Sequence, residues 1–226
     1  MHKFKQDGFT LIDVSHTVHD GMITYKGLPA PIICDYLSRE DSKKNYGKDA
    51  SFQIGQITMS SNTGTYVDVP FHRYENGKDL SEMALSAFAN LECVKFTIPT
   101  DQIEITPADF KNVDIQGKAV LIETEWSRHW ATDSYFENHP FVSESAALYL
   151  RDNGAIFVGI DSHNIDDTRG KNRPAHTILL GADIPICEHM TNLKSLPKDG
   201  FKFFAVPVKV KGMGTFPVRA FGIIED

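Results

Sequence analysis

The segment Ala119 to Thr124, Ala-Val-Leu-Ile-Glu-Thr, sets the tightest limit on the fold. It is apolar without alternation and too short for a helix, the pattern of a strand buried on both faces. Ile156 to Ile160 repeats the pattern, and Cys93 to Ile98 and Ile184 to His189 read as further strands. Helix signals lie between them. Ser143 can cap a helix through Ala146, Ala147, Leu148 and Leu150, closed by Gly154. Thr106-Pro107-Ala108-Asp109 joins a cap to a proline at the first helical position. Leu80 to Ala89 has apolar residues at helical spacing, and His176 starts a short apolar helical run ending near Gly181. Strands dominate with a few helices between them, so the chain reads as one mixed α/β domain spanning residues 1–226.

Thr10 to Ser15, Ile32 to Tyr36 and the run from Phe52 and Ile54 to Met59 read as strands before this core. Ser38 to Asp49, dense in charge, reads as a solvated connection. Val206, Val208 and Val210 alternate with Pro207, Lys209 and Lys211 as a strand with one wet face, and Val218 to Ile224 reads as the last strand. At 226 residues and 41% apolar the chain can bury a substantial core. A net charge of −7 without a basic cluster argues against nucleic acid or an anionic membrane surface as partner. No apolar run is long enough to span a bilayer, and Met1 to Asp7 has no apolar core of the signal-peptide kind. Cys34, Cys93 and Cys187 are far apart and form no CxxC pair, so a reducing cytoplasm is expected. Each sits among apolar residues and reads as a small core residue.

The chemistry concentrates in Ser60 to Arg73. An amide, a phenol, a carboxylate and an imidazole fall within eleven residues, Asn62 to His72. In an extended chain Asn62, Tyr66, Asp68, Pro70 and His72 share one face. Such a face is either a site or a polar strand edge running into a surface loop. Signatures for a nucleophile elbow, a P-loop, a dinucleotide fold or a His-Glu-x-x-His zinc site are absent. What remains is a scatter of metal-type ligands: Asp68, His72, His163, His176, Glu188 and His189. Glu188 ends an apolar strand, where an ionised carboxylate needs a partner. His189 must point to the opposite face, so Glu188 is the better candidate. His176 stands where the long polar loop Asp161 to Ala175 meets an apolar segment, as a pocket rim or as a helix-start residue bonding to backbone. His163 reads as a solvated loop residue.

Asn62-Thr63-Gly64-Thr65-Tyr66-Val67-Asp68-Val69-Pro70-Phe71-His72 resembles the signature His-x-Gly-Thr-His-x-Asp-x-Pro-x-His of the cyclase family of metal-dependent hydrolases, which includes bacterial kynurenine formamidase. The likeness extends from Leu11 to Ser15 through Ile122 to Trp126 and Gly159 to Asp161, and on to His176, Glu188 and Ala205 to Arg219. The resemblance implies a swivelling β/β/α domain with a mixed sheet or barrel core and flanking helices. It implies a zinc or manganese ion on Asp68, His176 and Glu188, and His72 as the acid/base. Tyr25, Asn62 and Tyr66 become substrate-binding candidates, for a small-molecule amide or cyclic amide as in tryptophan catabolism. A homo-oligomer, dimer or tetramer, is implied as well. Two signature histidines are replaced, by Asn62 and Tyr66, which removes the usual first metal site. The alternative is therefore a metal-free relative that binds a small ligand, or a lyase or dehydratase using His72 and Tyr66.

Overall fold

The computed structural model describes residues 3–46 and 50–225. In chain order its strands are β1 (Lys3–Gln6), β2 (Phe9–Asp13), β3 (Ile32–Leu37), β4 (Ile54–Thr58), β5 (Tyr66–Asp68), β6 (Leu91–Thr97) and β7 (Glu104–Ile105). They continue with β8 (Ala119–Glu123), β9 (Phe141–Val142), β10 (Phe157–Ile160), β11 (Ile186–Glu188), β12 (Phe201–Phe204), β13 (Thr215–Pro217) and β14 (Phe221–Glu225). The α-helices are α1 (Arg39–Tyr46), α2 (Glu144–Asp152) and α3 (Pro174–Gly181). Met1, His2 and the end of the Ser38 to Asp49 segment lie outside the described residues.

A ten-stranded mixed sheet runs in the order β1-β2-β14-β12-β6-β8-β10-β11-β5-β13. Its middle, β6, β8, β10 and β11, is parallel, and antiparallel strands flank it on both sides. β8 is buried along its whole length, as its unbroken apolar run requires. Val120 and Ile122 enter one core cluster with Leu150, Leu179 and Leu180 of α2 and α3. Ala119 and Leu121 enter a second on the other face, with Ile12, Phe157 and Phe203. An isolated bridge between Ser15 and Met190, and a bond from Thr191 N to Val14 O (3.0 Å), bring the continuation of β2 against that of β11. The sheet therefore curls on itself at this end. No helix among the described residues is long and apolar enough to cross a membrane.

Several local expectations are corrected. The charged segment after Ser38 is a helix, α1, although only its Ser42 is buried. Capping and charge order make it: Ser38 Oγ accepts from Asp41 N (3.1 Å), acidic residues fill the first turn and lysines the last. Leu80 to Ala89 holds only a short 3-10 turn at Leu85–Ala87. There the Asp79 carboxylate takes the N–H groups of Ser81, Glu82 and Gly212, and this outweighs helical spacing. Val206 to Val210 is irregular, interrupted by Pro207, with Val206 and Val208 exposed. Cys93 and Cys187 are buried as expected, but Cys34 is exposed on β3. β3 and β4 pair only with each other and stand outside the main sheet, almost wholly exposed.

One buried acid beside the curl has a consequence for stability. Asp161 Oδ1 accepts from Thr124 N (2.7 Å) and Oγ1 (2.6 Å), yet burial pushes its pKa up to about 7. The folded chain then keeps a proton that the unfolded chain, near 3.8, gives up. This group's contribution to stability falls as pH rises from about 4 to about 7. Asp161→Asn, which preserves a carbonyl acceptor for Thr124, is expected to flatten that slope in denaturation curves recorded at pH 5 and 7.5. An unchanged slope would refute the assignment.

Candidate active site

Sheet register brings four polar side chains to one place. On β5, Tyr66 and Asp68 are two residues apart and share a face. Glu188 of β11 lies opposite Tyr66, and Thr215 of β13 lies opposite Asp68. Directly opposed residues project to the same side, so all four converge. The expected extended face of the signature is shorter than its sequence implies. Gly64 takes φ +68°, the strand covers only Tyr66–Asp68, and Pro70–His72 forms a 3-10 turn. That turn folds His72 back over the strand. Its Nδ1 lies 2.9 Å from Thr215 Oγ1 and 3.5 Å from Asp68 Oδ1, and Thr215 Oγ1 also donates to Asp68 Oδ1.

α3 delivers the remaining imidazole. Asp166 Oδ1 accepts from Ala175 N (2.7 Å) and Oδ2 from His176 N (3.1 Å), capping the helix. Asp166 Oδ2 also contacts His176 Nδ1 at 2.6 Å. That contact holds a proton on Nδ1 and leaves Nε2 for the site. His176 Nε2 stands 3.6 Å from both Asp68 Oδ2 and Glu188 Oε1. Asp68, His72 and His176 each offer a ligand atom within 4.8 Å of the others. Asp68 Oδ2 is buried and receives no hydrogen bond. An orphaned carboxylate oxygen facing an imidazole nitrogen and a second carboxylate is a donor set suited to a divalent ion. Burial opposes a charge on His176, but Glu188, Asp166 and Asp68 together hold its pKa up; burial pushes Glu188 up, and Asp68 reinforces this.

The two replaced signature positions do not offer an ion site. Tyr66 donates its hydroxyl proton to Glu188 Oε2 at 2.6 Å, and Asn62 lines the cleft alongside them. Burial, then the charges of Glu188 and Asp68, raise the Tyr66 pKa well above that of a free phenol, so it stays protonated and donating. Glu188 Oε1 accepts from Ile165 N at 2.6 Å. Tyr66 and Glu188 thus form a buried hydrogen-bonded pair, with Asn164 Nδ2 3.5 Å from the same carboxylate oxygen.

These groups line a cleft of about 280 Å³ with Tyr25, Leu28, Arg73, Asn164 and Arg173. Tyr25, Asn62, Tyr66, His72, His176 and Glu188 all line it, Asp68 lies within 3.6 Å of His72 and His176, and His163 and His189 are not part of the lining. His189 lies past the end of β11 and, at φ +54°, points into a buried aromatic box with Tyr66, Tyr135 and His163. His163 is buried rather than solvated, packed against Tyr25 (4.7 Å) and Tyr135 (5.7 Å), and burial pulls its pKa down to about 3. Asp166 and Thr215 were not singled out from the sequence, because their partners lie 10 and more than 140 residues away.

The cleft with its buried carboxylates and imidazoles sits on the fold of a family of hydrolytic enzymes. The chain belongs to the cyclase family, whose family model matches residues 12–167. Kynurenine formamidase from Geobacillus thermodenitrificans is 29% identical over 177 residues, covering 78% of this chain and 82% of its own. A structure described as a potential metal-dependent hydrolase with cyclase activity superposes with a TM-score of 0.79 at 27% identity, over 96% of this chain and 99% of the other. Isatin hydrolase A from Labrenzia aggregata reaches a TM-score of 0.81 over 96% and 94% of the two chains, a likeness of fold at 21% identity.

Gly214 makes the position of His72 testable. A Cβ there would fall onto the His72 backbone nitrogen and Cα and within 2.8 Å of the Phe71 carbonyl carbon. Backbone cannot swing aside, so Gly214→Ala is expected to cost about 1–3 kcal/mol and to displace His72 from Thr215. Wild-type stability with an unmoved His72 in a crystal structure of the variant would count against this packing.

Proposed function

We propose that this protein is a metal-dependent hydrolase of a small amide or cyclic amide, of the kynurenine formamidase type. The observation that carries the reading is the bare, buried Asp68 Oδ2 facing His176 Nε2, with Glu188 Oε1 beyond it. Asp68, His176 and Glu188 would hold one zinc or manganese ion. Bound there, the ion supplies Lewis acidity toward a carbonyl oxygen. His72 has Nδ1 engaged with Thr215, which leaves Nε2 to take a proton from the attacking water and return it to the leaving nitrogen. Tyr66 spends its only proton on Glu188, so the oxyanion donor is the Asn62 amide. Tyr25 and Leu28 form the apolar wall for an aromatic substrate. On this reading the enzyme is cytoplasmic, serves tryptophan catabolism, and has the swivelling β/β/α fold, which the curl at Ser15 and Met190 supports.

The test is elemental analysis of protein purified without chelator, with turnover of N-formylkynurenine. The expectation is about one divalent ion per chain, and a loss of about 10²–10⁴ in kcat for His72→Ala at unchanged metal content. No turnover with any divalent metal, or an indifferent His72→Ala, would sink the proposal. Asn62→His with Tyr66→His is expected to raise the metal content toward about two per chain. The bond by which Tyr66 occupies Glu188 Oε2 favours a second reading, the metal-free relative that binds a ligand or acts as a lyase. Absence of tightly held metal in an active or ligand-binding protein would select it.

We also propose a homodimer formed through the β3–β4 hairpin. Two lone strands are marginal in water, and this pair exposes Ile32 (59%), Tyr36 (75%) and Ile57 (57%), with Ile33 and Ile54 beside them. With Tyr46 and Phe52 these side chains offer roughly 500–800 Å² of surface, near the share one partner contributes to a standard interface. A two-fold pairing of hairpins covers it on both copies. Light scattering is expected to give a dimer that Ile33→Lys with Ile57→Lys converts to monomer. A wild-type monomer at 100 μM would overturn this.

A further inference from the structure

The outer part of the cleft carries a charge pattern that amide hydrolysis does not require. Arg73 and Arg173 both line it, together with the uncharged Tyr25, Leu28, Asn62 and Asn164. Both arginines are tied to the first turn of α3. Arg73 Nε donates to Thr177 Oγ1 (3.1 Å), and Thr177 Oγ1 donates to Arg173 O (2.7 Å). Arg173 Nη1 donates to three backbone carbonyls, of Asp167 (3.3 Å), Gly170 (3.0 Å) and Asn172 (2.8 Å). Each guanidinium is thereby anchored through one nitrogen. Among the described residues, the other two nitrogens of each meet no acceptor, and neither group pairs with a carboxylate within 4 Å.

Two like charges held by one helical turn repel each other. In a chain with 30 Asp and Glu residues against 23 Lys and Arg, leaving both unpaired at a cleft is unusual. An anion between them removes the cost, and a planar guanidinium with two free nitrogens matches a carboxylate. Their place also fixes where that anion sits. Arg73 directly follows His72, and Arg173 precedes His176 by three residues. The positive pair lines the same cleft as His72 and His176, the groups that would act on the amide.

We propose that Arg73 and Arg173 form a carboxylate subsite, so that the substrate is an N-acylated aromatic amine bearing a carboxylate next to its amide. The proposal rests on the amide-hydrolase reading for its chemistry. Water oxygen bonds to the acyl carbon, the carbon–nitrogen bond breaks, and a proton from that water goes to the nitrogen. The products are the acid and an amino-substituted aromatic carboxylate. The carboxylate on the ring stays unchanged and serves only to seat the molecule.

N-formylanthranilate and formanilide contain the same scissile bond and differ in the ring carboxylate, so their ratio of kcat/KM reads the subsite. The wild-type protein is expected to favour N-formylanthranilate at least about tenfold, and Arg73→Gln with Arg173→Gln to reduce that ratio by about tenfold or more. Calorimetry with benzoate needs no turnover, and its Kd is expected to rise about tenfold in the same double variant. Arg173 also clamps its loop, so the exposed Arg73→Gln alone provides a folded control with a smaller shift in the same direction. Equal use of the two anilides, or benzoate binding that ignores both arginines, overturns the subsite. Benzoate binding that depends on the arginines, in a protein that hydrolyses neither anilide, supports the subsite and refutes the hydrolase reading instead.

Discussion

Asp166 is fully buried, and both of its oxygens are committed inside the protein. One starts α3 by taking the N–H of Ala175, and the other takes the N–H and Nδ1 of His176. Helix position and imidazole tautomer are thus decided by a single carboxylate. Arg173 and Thr177 belong to the same turn, and Arg73 is fastened to Thr177. One interaction therefore places the innermost imidazole and the outermost charges of the cleft. Losing it would leave two helix-end donors unmet and free His176 to rotate.

The rest of the site follows from strand pairing. A single-residue slip of β11 on β5 would send Glu188 away from the cleft and bring in its neighbours, because strand side chains alternate. That register is held by a sheet whose middle is buried on both faces, where a slip would misplace every core residue at once. A rigid frame of this kind can carry three buried carboxylates, Asp68, Asp166 and Glu188, which no flexible loop could. Each costs several kcal/mol to desolvate. Asp166 and Glu188 recover this through backbone and side-chain donors, while Asp68 keeps one oxygen bare.

What the sequence disclosed divides along a physical line. Segments whose pattern is set by burial, such as Ala119 to Glu123, the helix capped by Ser143 and the strand carrying Glu188, stood where their apolar runs placed them. Segments decided by distant partners did not. The turn at Leu80 depends on Gly212 and Met213, and the alternating valines after Ala205 have no strand to pair with. α1 was hidden because it has no apolar stripe, only caps and ordered charge. In the site, Asp68, His72, His176 and Glu188 were legible through their motif and through the cost of burying charge. Asp166 and Thr215 look like ordinary loop and strand residues until the fold brings their partners to them, and His163 looked solvated until the aromatic box closed over it.

The bond between Tyr66 and Glu188 bears on the charge of the cleft as well as on its geometry. Exchanging Tyr66 for a side chain that cannot donate would leave Glu188 Oε2 with only the 3.5 Å contact from Asn164 Nδ2. Stripped of the phenol and still fully buried, that carboxylate would favour its neutral form more strongly, so the tyrosine helps to set the charge that the cleft carries.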